Sequence, residues 1–395
     1  MRPPAKTPDL PTINSGMAAA SGVGTSGSAG TAAGIRVGAP AGSGGASAGA
    51  HGARSGAAAP LPTRLLSFGA VPPFRAWREE LMAQCTSVGF VPTMGALHEG
   101  HMSLVDASML ENEYTVVSIF VNPAQFAPHE DLASYPRTLE TDLRVLEERD
   151  AGRGTVVVLV PQVRDMYPNG FTQEVDKQVG AFVEVKGLSH QMEGRTRPIF
   201  FRGVATVVTK LFNIVLPHRA YFGQKDIQQT IVLRRLVSDL LFTYPCGAEN
   251  VRVVPTARDP SDQLALSSRN AYLDARGRAV APVLFAALER GRSVWEQLLE
   301  RGVEPAERIH ATLQAARSVV EAAAQPQAGG ASVQLDYVAL NDPDTLEDMD
   351  QASYEPVGGA RAAILSGAMW VRNDAAEERP AARLIDNVLL GYSLG

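Results

Sequence analysis

Two histidines three residues apart, in His98-Glu99-Gly100-His101, are the first residues whose spacing suggests chemistry. A turn of this kind between a strand and a helix offers unpaired N–H groups and the positive helix end to an anion, and two imidazoles add donors for phosphate oxygens. Gly100 removes a side chain where a nucleotide would need to approach the backbone. A pair of solvent-facing turn histidines explains the same spacing. Zinc fits less well, because the pair lacks the HExxH spacing and has no evident partner ligands. In Gly223-Gln224-Lys225-Asp226 a lysine stands at a helix start, against the dipole preference, unless an anion is bound there; a surface pair with Asp226 is the plainer alternative. Leu266-Ser267-Ser268-Arg269-Asn270 combines two hydroxyls with a guanidinium fork, which suits a triphosphate or, equally, a helix N-cap beside an arginine. The amides of Gln125 and Gln229 suit hydroxyl or carboxylate recognition, although glutamine is more often a surface residue.

These residues need elements to position them. Ser87–Val91, Thr115–Val121, Thr155–Val160, Ala220–Phe222 and Val251–Val254 read as buried strands. Between them, helices are expected from His101 to Glu111, over Leu139–Arg149, over Gly203–Leu216 and over Lys225–Leu241. Continuously apolar strands alternating with helices predict an α/β fold, a Rossmann-like, doubly wound parallel sheet. Ligands of such sheets bind beyond the carboxyl ends of the strands, where the unusual residues fall. After Thr256 the pattern changes. Helices over Asp274–Arg301 and Pro305–Ala324, then strands over Leu335–Leu340, Ala362–Leu365 and Leu384–Leu390, predict a smaller C-terminal α+β domain. Gln325–Ala331 and the acidic stretch Asp342–Glu355 read as loops. The expected division is 1–60, 61–256 and 257–395.

The chain has 395 residues, 45% of them apolar and 20% charged, which are values of an ordinary globular protein with a sizeable core. A formal charge of −6 argues against nucleic-acid binding through bulk charge. Two cysteines, Cys85 and Cys246, exclude a disulfide framework and a multi-cysteine zinc module. No apolar run reaches the roughly 18–20 residues of a membrane span. From Ser15 to Ala59, 35 of 45 residues are Ala, Gly or Ser, so this stretch has little to bury and is expected to be a disordered tail. A cytoplasmic location is expected, with a mitochondrial one as the alternative if the acid-poor tail is a transit peptide.

Longer words around these residues carry a resemblance. Pro92-Thr93-Met94-Gly95-Ala96-Leu97-His98-Glu99-Gly100-His101, Ile119-Phe120-Val121-Asn122-Pro123-Ala124-Gln125-Phe126, Tyr135-Pro136-Arg137-Thr138, Phe201-Arg202-Gly203-Val204, Tyr221-Phe222-Gly223-Gln224-Lys225-Asp226-Ile227-Gln228-Gln229 and Leu266-Ser267-Ser268-Arg269-Asn270 follow in order. Together they resemble the pantothenate synthetases (pantoate–β-alanine ligases), of the class I aminoacyl-tRNA synthetase-like nucleotidyltransferases. The likeness is strong from Phe90 to Tyr272 and weaker beyond, where Leu384-Ile385-Asp386-Asn387 fits the last strand. It implies conversion of ATP, pantoate and β-alanine to pantothenate, AMP and pyrophosphate through a pantoyl adenylate. Mg²⁺ accompanies the ATP, and a homodimer through the larger domain is implied.

Residue by residue, the resemblance implies that Met94 to His101 border the ATP site, with Pro92 and Thr93 leading into it. His101 then stabilises the phosphates, with His98 beside it. Gln125 and Gln229 hold pantoate. Gly223, Gln224, Lys225 and Asp226 border the nucleotide, with Lys225 reaching the phosphates. Leu266, Ser267, Ser268 and Arg269 close over the triphosphate, and Ala257 makes a backbone contact to adenine. No protein ligand set for a metal is expected. Pro92, Met94 and Phe222 are candidates for an apolar wall against pantoate's gem-dimethyl group. Some positions depart from the family pattern. Gln224 replaces a usual Glu, Leu266 a Met and Gln263 a Gly, and Ile199-Phe200-Phe201 stands where Thr-His-Phe is commoner. Two rivals are a nucleotide adenylyltransferase, which would not need Asn122-Pro123-Ala124-Gln125 or Gln229, and a silent homologue acting as a scaffold, which the retention of His101, Lys225 and Arg269 disfavours.

Overall fold

The computed structural model describes residues 65–127, 132–133, 135–324, 331–350, 360–372 and 381–394. The expected tail at 1–60, and parts of the expected loops at 325–331 and 342–355, lie outside the described residues. Six strands form the larger sheet: β1 (Leu66–Phe68), β2 (Val88–Thr93), β3 (Tyr114–Ile119), β4 (Val156–Leu159), β5 (Arg219–Gly223) and β6 (Val251–Val254). Their order is β1-β4-β3-β2-β5-β6, and every pairing is parallel. Strand β4 is four buried residues, Val156 to Leu159, as a strand covered on both faces must be. Helices α1 (Val71–Ala83), α2 (Glu99–Glu111), α3 (Leu139–Asp150), α4 (Val163–Met166), α5 (Glu193–Thr196), α6 (Phe200–Val215) and α7 (Ile227–Asp239) accompany it. From β2 the chain winds outward through β3 to β4, then returns to place β5 on the other side of β2. The carboxyl ends of β2 and β5 therefore flank the point where the winding reverses, which is where such sheets open a ligand crevice.

The C-terminal part has helices α8 (Ala275–Val280), α9 (Val283–Glu300) and α10 (Pro305–Ala323), then strands β7 (Ser332–Asn341), β8 (Ala363–Arg372) and β9 (Ala382–Leu390). The three strands form an antiparallel sheet in chain order, with its own apolar core around Trp295, Leu288 and Leu365. The fold is thus the expected Rossmann-like sheet followed by a smaller α+β part.

Several elements differ from expectation. β1 and α1 carry no prediction; a three-residue edge strand is too short for a periodic signal, and Pro72-Pro73 masks the first turn of the helix. The single helix expected over Asp274–Arg301 is two, because Pro282 lacks the N–H that would continue the first. Strand β8 has ten residues rather than four, since Ser366-Gly367 lies inside a strand paired on both edges. Among the described residues, no helix is long and apolar enough to cross a membrane.

Candidate functional site

The β2–α2 turn is built around three hydrogen-bond devices. Thr93 donates its hydroxyl to Ser118 O (2.7 Å) and accepts from the Gly95 amide (3.3 Å). Gly95 and Ala96 follow in left-handed conformations, φ +87° and +52°. The amides of Ala96 and Leu97 then point at the buried carboxylate of Asp142 on α3, at 3.0 and 2.8 Å. Finally the two histidines cap the helix. His98 Nδ1 accepts from the Gly100 amide (3.1 Å), and His101 Nδ1 accepts from the His98 amide (3.3 Å). A residue other than glycine at 100 would place its Cβ 2.8 Å from His98 Cε1. Glycine at this position therefore leaves room for the His98 ring, and Gly100 also lines the cavity described below.

This arrangement fixes the protonation of both rings. Burial, reinforced by nearby Lys225, lowers His98 to about 4. Burial and the adjacent His98 lower His101 to about 3. Both imidazoles are neutral at neutral pH, and because each Nδ1 accepts, the proton sits on Nε2. The turn thus presents neutral donors.

At the end of β3, Asn122 is buried and organises Gln125. Its Nδ2 donates to Gln125 Oε1 (3.1 Å) and to Gly203 O (3.2 Å), while its Oδ1 accepts from the Tyr167 phenol (2.7 Å). Gln125 Oε1 being engaged, its Nε2 hydrogens remain for a hydroxyl or carboxylate oxygen. Gly203 lets α6 approach closely; a Cβ there would lie 2.2 Å from Ala124 O. Gln229, in the first turn of α7, has no internal hydrogen-bond partner among the described residues and borders the same space.

After β5 the chain makes one 3-10 turn, Gln224–Asp226, so Lys225 stands just before α7 rather than within it. Lys225 Nζ is 3.7 Å from Asp226 Oδ2, so the surface-pair reading is partly realised, yet the lysine side chain is largely buried. Across from it lies the loop 257–269. The Leu266 amide donates to Ala257 O (2.9 Å), and Ser267 caps the next turn by accepting from the Arg269 amide (3.3 Å). The N-cap reading of Ser267 is thus realised. The Ser268 side chain hydrogen-bonds the Tyr135 phenol, whose pKa burial raises. Gln263 occupies a left-handed conformation, φ +65°, so the backbone keeps a glycine-like shape with a side chain attached.

One cavity of about 460 Å³ joins these parts. It is lined by Pro92, Thr93, Met94, His98, Gly100, His101, Gln125, Phe222, Gly223, Lys225, Asp226, Gln229, Ala257, Leu266, Ser267, Ser268 and Arg269. Of the residues expected from sequence, Gly95, Ala96, Leu97, Glu99 and Gln224 do not line it. The first three shape the turn from behind, Glu99 is exposed and paired with Arg149 (2.6 Å), and Gln224 turns its amide to Asn387. No metal-holding group of three or more His, Cys, Asp or Glu occurs among the described residues. Sequence reasoning missed Asp142, Tyr167 and Arg197. Asp142 and Tyr167 sit in ordinary helical or loop text. Arg197, over the Phe200 ring at 4.0 Å, lies just before Ile199-Phe200-Phe201, whose wording departs from the family.

Comparison with known proteins points one way. A family model described as pantoate-beta-alanine ligase matches residues 68–389. The pantoate–beta-alanine ligase of Saccharomyces cerevisiae is 41% identical over 322 residues, covering 80% of this chain and 96% of the yeast protein. The pantothenate synthetase of Herpetosiphon aurantiacus is 46% identical over 266 residues, 67% of this chain and 85% of that one. Among solved structures, pantothenate synthetase from Thermus thermophilus aligns with a TM-score of 0.63 at 38% identity, over 83% of this chain and 100% of that one. The pantoate-beta-alanine ligase of Francisella tularensis, in complex with beta-gamma ATP and beta-alanine, aligns with a TM-score of 0.56 at 28% identity, over 84% of this chain and 100% of that one.

Proposed function

Since the chain belongs to the pantoate–β-alanine ligase family, and so is an enzyme that joins pantoate to β-alanine with ATP, we propose that the cavity between β2, β3, β5 and the loop 257–269 carries out both halves of that reaction. The observation that supports this most is the gathering of His98, His101, Lys225, Ser267, Ser268 and Arg269 with Gln125 and Gln229 around one cavity. Donors for a triphosphate and amides for a hydroxy acid then face a common space.

In the first step a pantoate carboxylate oxygen attacks the α-phosphorus of ATP, and the bond from that phosphorus to the bridging oxygen breaks, releasing pyrophosphate. Pantoate is already ionised, so no base is needed. Gln125 and Gln229 hold pantoate, with Pro92, Met94 and Phe222 against its gem-dimethyl group. Charge building on the leaving group meets Lys225 and Arg269, the Ser267 and Ser268 hydroxyls and the two neutral Nε2–H donors. In the second step the neutral amine of β-alanine attacks the acyl carbon, the bond from carbon to AMP breaks, and the amine proton passes to solvent.

Mg²⁺ is proposed to travel with the triphosphate, since Asp226 is the one carboxylate among the described residues that lines the cavity. Asp226 would hold it together with phosphate oxygens, and the ion would neutralise charge on the pyrophosphate. The domain limits 61–256 and 257–395 are kept as a proposal, supported by separate apolar cores in the two parts. A homodimer is proposed on the family resemblance, and sedimentation tests it. A cytoplasmic location is proposed likewise, against a mitochondrial one if 1–60 is a transit segment; fractionation with and without those residues separates the two.

The test is pyrophosphate release with Mg·ATP, omitting pantoate and β-alanine in turn. Turnover that needs all three and yields AMP is expected; release that ignores pantoate overturns the assignment. Lys225→Ala and His101→Ala should each abolish release while leaving a folded protein. Wild-type release by either removes that residue from its role. Met94→Gln should raise the pantoate KM, and an unchanged value removes the apolar wall.

A further inference from the structure

Two consecutive residues of β9, Asp386 and Asn387, are buried and polar, and nothing in the reaction above uses them. Their side chains reach in different directions, as successive strand residues do. Asn387 Nδ2 donates to the carbonyl oxygens of Gln224 (2.9 Å) and Lys225 (3.0 Å), and its Oδ1 accepts from Gln224 Nε2 (3.3 Å). Asp386 takes a two-pronged pair with Arg258, at 2.6 and 3.0 Å, and its Oδ1 also accepts the Asn387 amide at 2.8 Å. Arg258 in turn donates to Gln263 O (3.2 Å) and lies over the Phe285 ring at 3.7 Å, so it pins the loop that carries Ser267 to Arg269.

The two segments that bear the cations of the nucleotide site, 223–226 and 257–269, are therefore tied to one dipeptide on a third element. We infer that Asp386 and Asn387 are positioning residues that set the spacing between Lys225 and the Ser267–Arg269 loop, and so the affinity for the ATP triphosphate. This rests on the reading that those groups hold the phosphates. The physical case is that a lysine on a single 3-10 turn has no helix to fix its main chain. Two amide hydrogens from Asn387 hold both carbonyls at that turn, and a buried bidentate ion pair holds the opposite wall. Gln125 and Gln229, by contrast, receive no bond from β9 among the described residues, so recognition of pantoate should not respond.

The experiment uses the full chain and the variants Asn387→Asp, Asn387→Ser and Asp386→Asn. Asn387→Asp keeps the shape but points an acceptor at two carbonyls. Calorimetry gives the Kd for Mg·ATP and, separately, for pantoate, and pantoate-dependent exchange of labelled pyrophosphate into ATP gives the KM values. Asn387→Asp and Asp386→Asn are each expected to weaken Mg·ATP about tenfold in Kd and KM, as loss of one charge-assisted or two neutral hydrogen bonds implies, with pantoate within about twofold. Asn387→Ser should fall between wild type and Asn387→Asp. The double variant Asp386→Asn with Asn387→Ser should lose less than the product of the single losses, because both act on one spacing. Unchanged ATP affinity alongside a lower Tm overturns the inference and leaves the pair structural. Equal weakening of ATP and pantoate overturns it as well. If Asn387→Asp does not fold, the other two variants decide on the same ratio. Absence of exchange in the wild type would count against the adenylation reading, while the ATP and pantoate Kd values still decide this inference.

Discussion

Two walls of the cavity are held in different ways. The histidine turn, 93–101, is fixed within the larger sheet by short neutral contacts and one buried carboxylate, Asp142. The facing loop, 257–269, is held largely by charge. Arg258 pairs with buried Asp386, and Arg278 pairs with Asp259 and Asp262, where each side chain is about one third exposed (31%, 32% and 31%). Apart from the exposed Glu99–Arg149 pair, the ties of the first wall are neutral or buried; the second wall has an ion-pair network that salt can weaken. A donor that must meet a developing charge gains from a fixed frame. A loop that closes on a ligand needs ties that can be remade.

The largest test breaks the rigid wall. Asp142→Ala leaves two inward-facing amides without an acceptor, and should cost about 3 kcal/mol of stability and lower pyrophosphate release about a hundredfold through misplacement of the histidines. Denaturant unfolding and steady-state assay check both. A variant with wild-type release would show that the turn holds its shape without α3. Next in size is Gly203→Ala, which forces α6 away from Ala124 O and should cost about 2 kcal/mol while raising the pantoate KM through Gln125. An unchanged KM would separate the packing from the amide.

Acid should separate the two walls. The histidines are lowered from 6.5 to about 4 and about 3 in the fold, so between these values and 6.5 the unfolded chain binds more protons. Their contribution is complete above pH 6.5 and is lost as pH falls through the folded values; His101→Gln should flatten that loss in a pH series of unfolding midpoints. For Asp259, lowered mainly by the Ser261 hydroxyl, and Asp262, lowered mainly by Arg278, the contribution is present above 3.8 and lost only in stronger acid. Coincident loss in both windows would erase the distinction. Arg278→Ala should cost at most about 1 kcal/mol, with a modest rise in ATP KM that disappears at high salt. The smallest effect is expected for Gln263→Gly, which relieves a left-handed side-chain-bearing residue and should add up to about 1 kcal/mol. A loss of stability there would mean that the glutamine side chain makes stabilising contacts that outweigh the strain.

Much of the site is legible in the sequence because its parts are local. His98 to His101, Lys225 and Ser267 to Arg269 are each recognised within a few residues of chain, and five of the six sheet strands announce themselves as apolar runs. What stays hidden depends on elements far apart. Asp142 looks like any acid in an amphipathic helix, and only the packing of α3 under the β2–α2 turn makes it an anchor. Asn387 lies 162 residues from Lys225, and no spacing rule links them. The contact of Gly100 with the His98 ring is likewise visible only in the folded turn.

The sequence alone thus determined the class of fold and the chemical groups, because apolar periodicity and short donor-rich turns are properties of contiguous chain. Only the tertiary structure decided which groups face one cavity, which histidine nitrogens carry protons and what holds each wall. Those depend on burial and on hydrogen bonds between segments that come together only when the sheet closes.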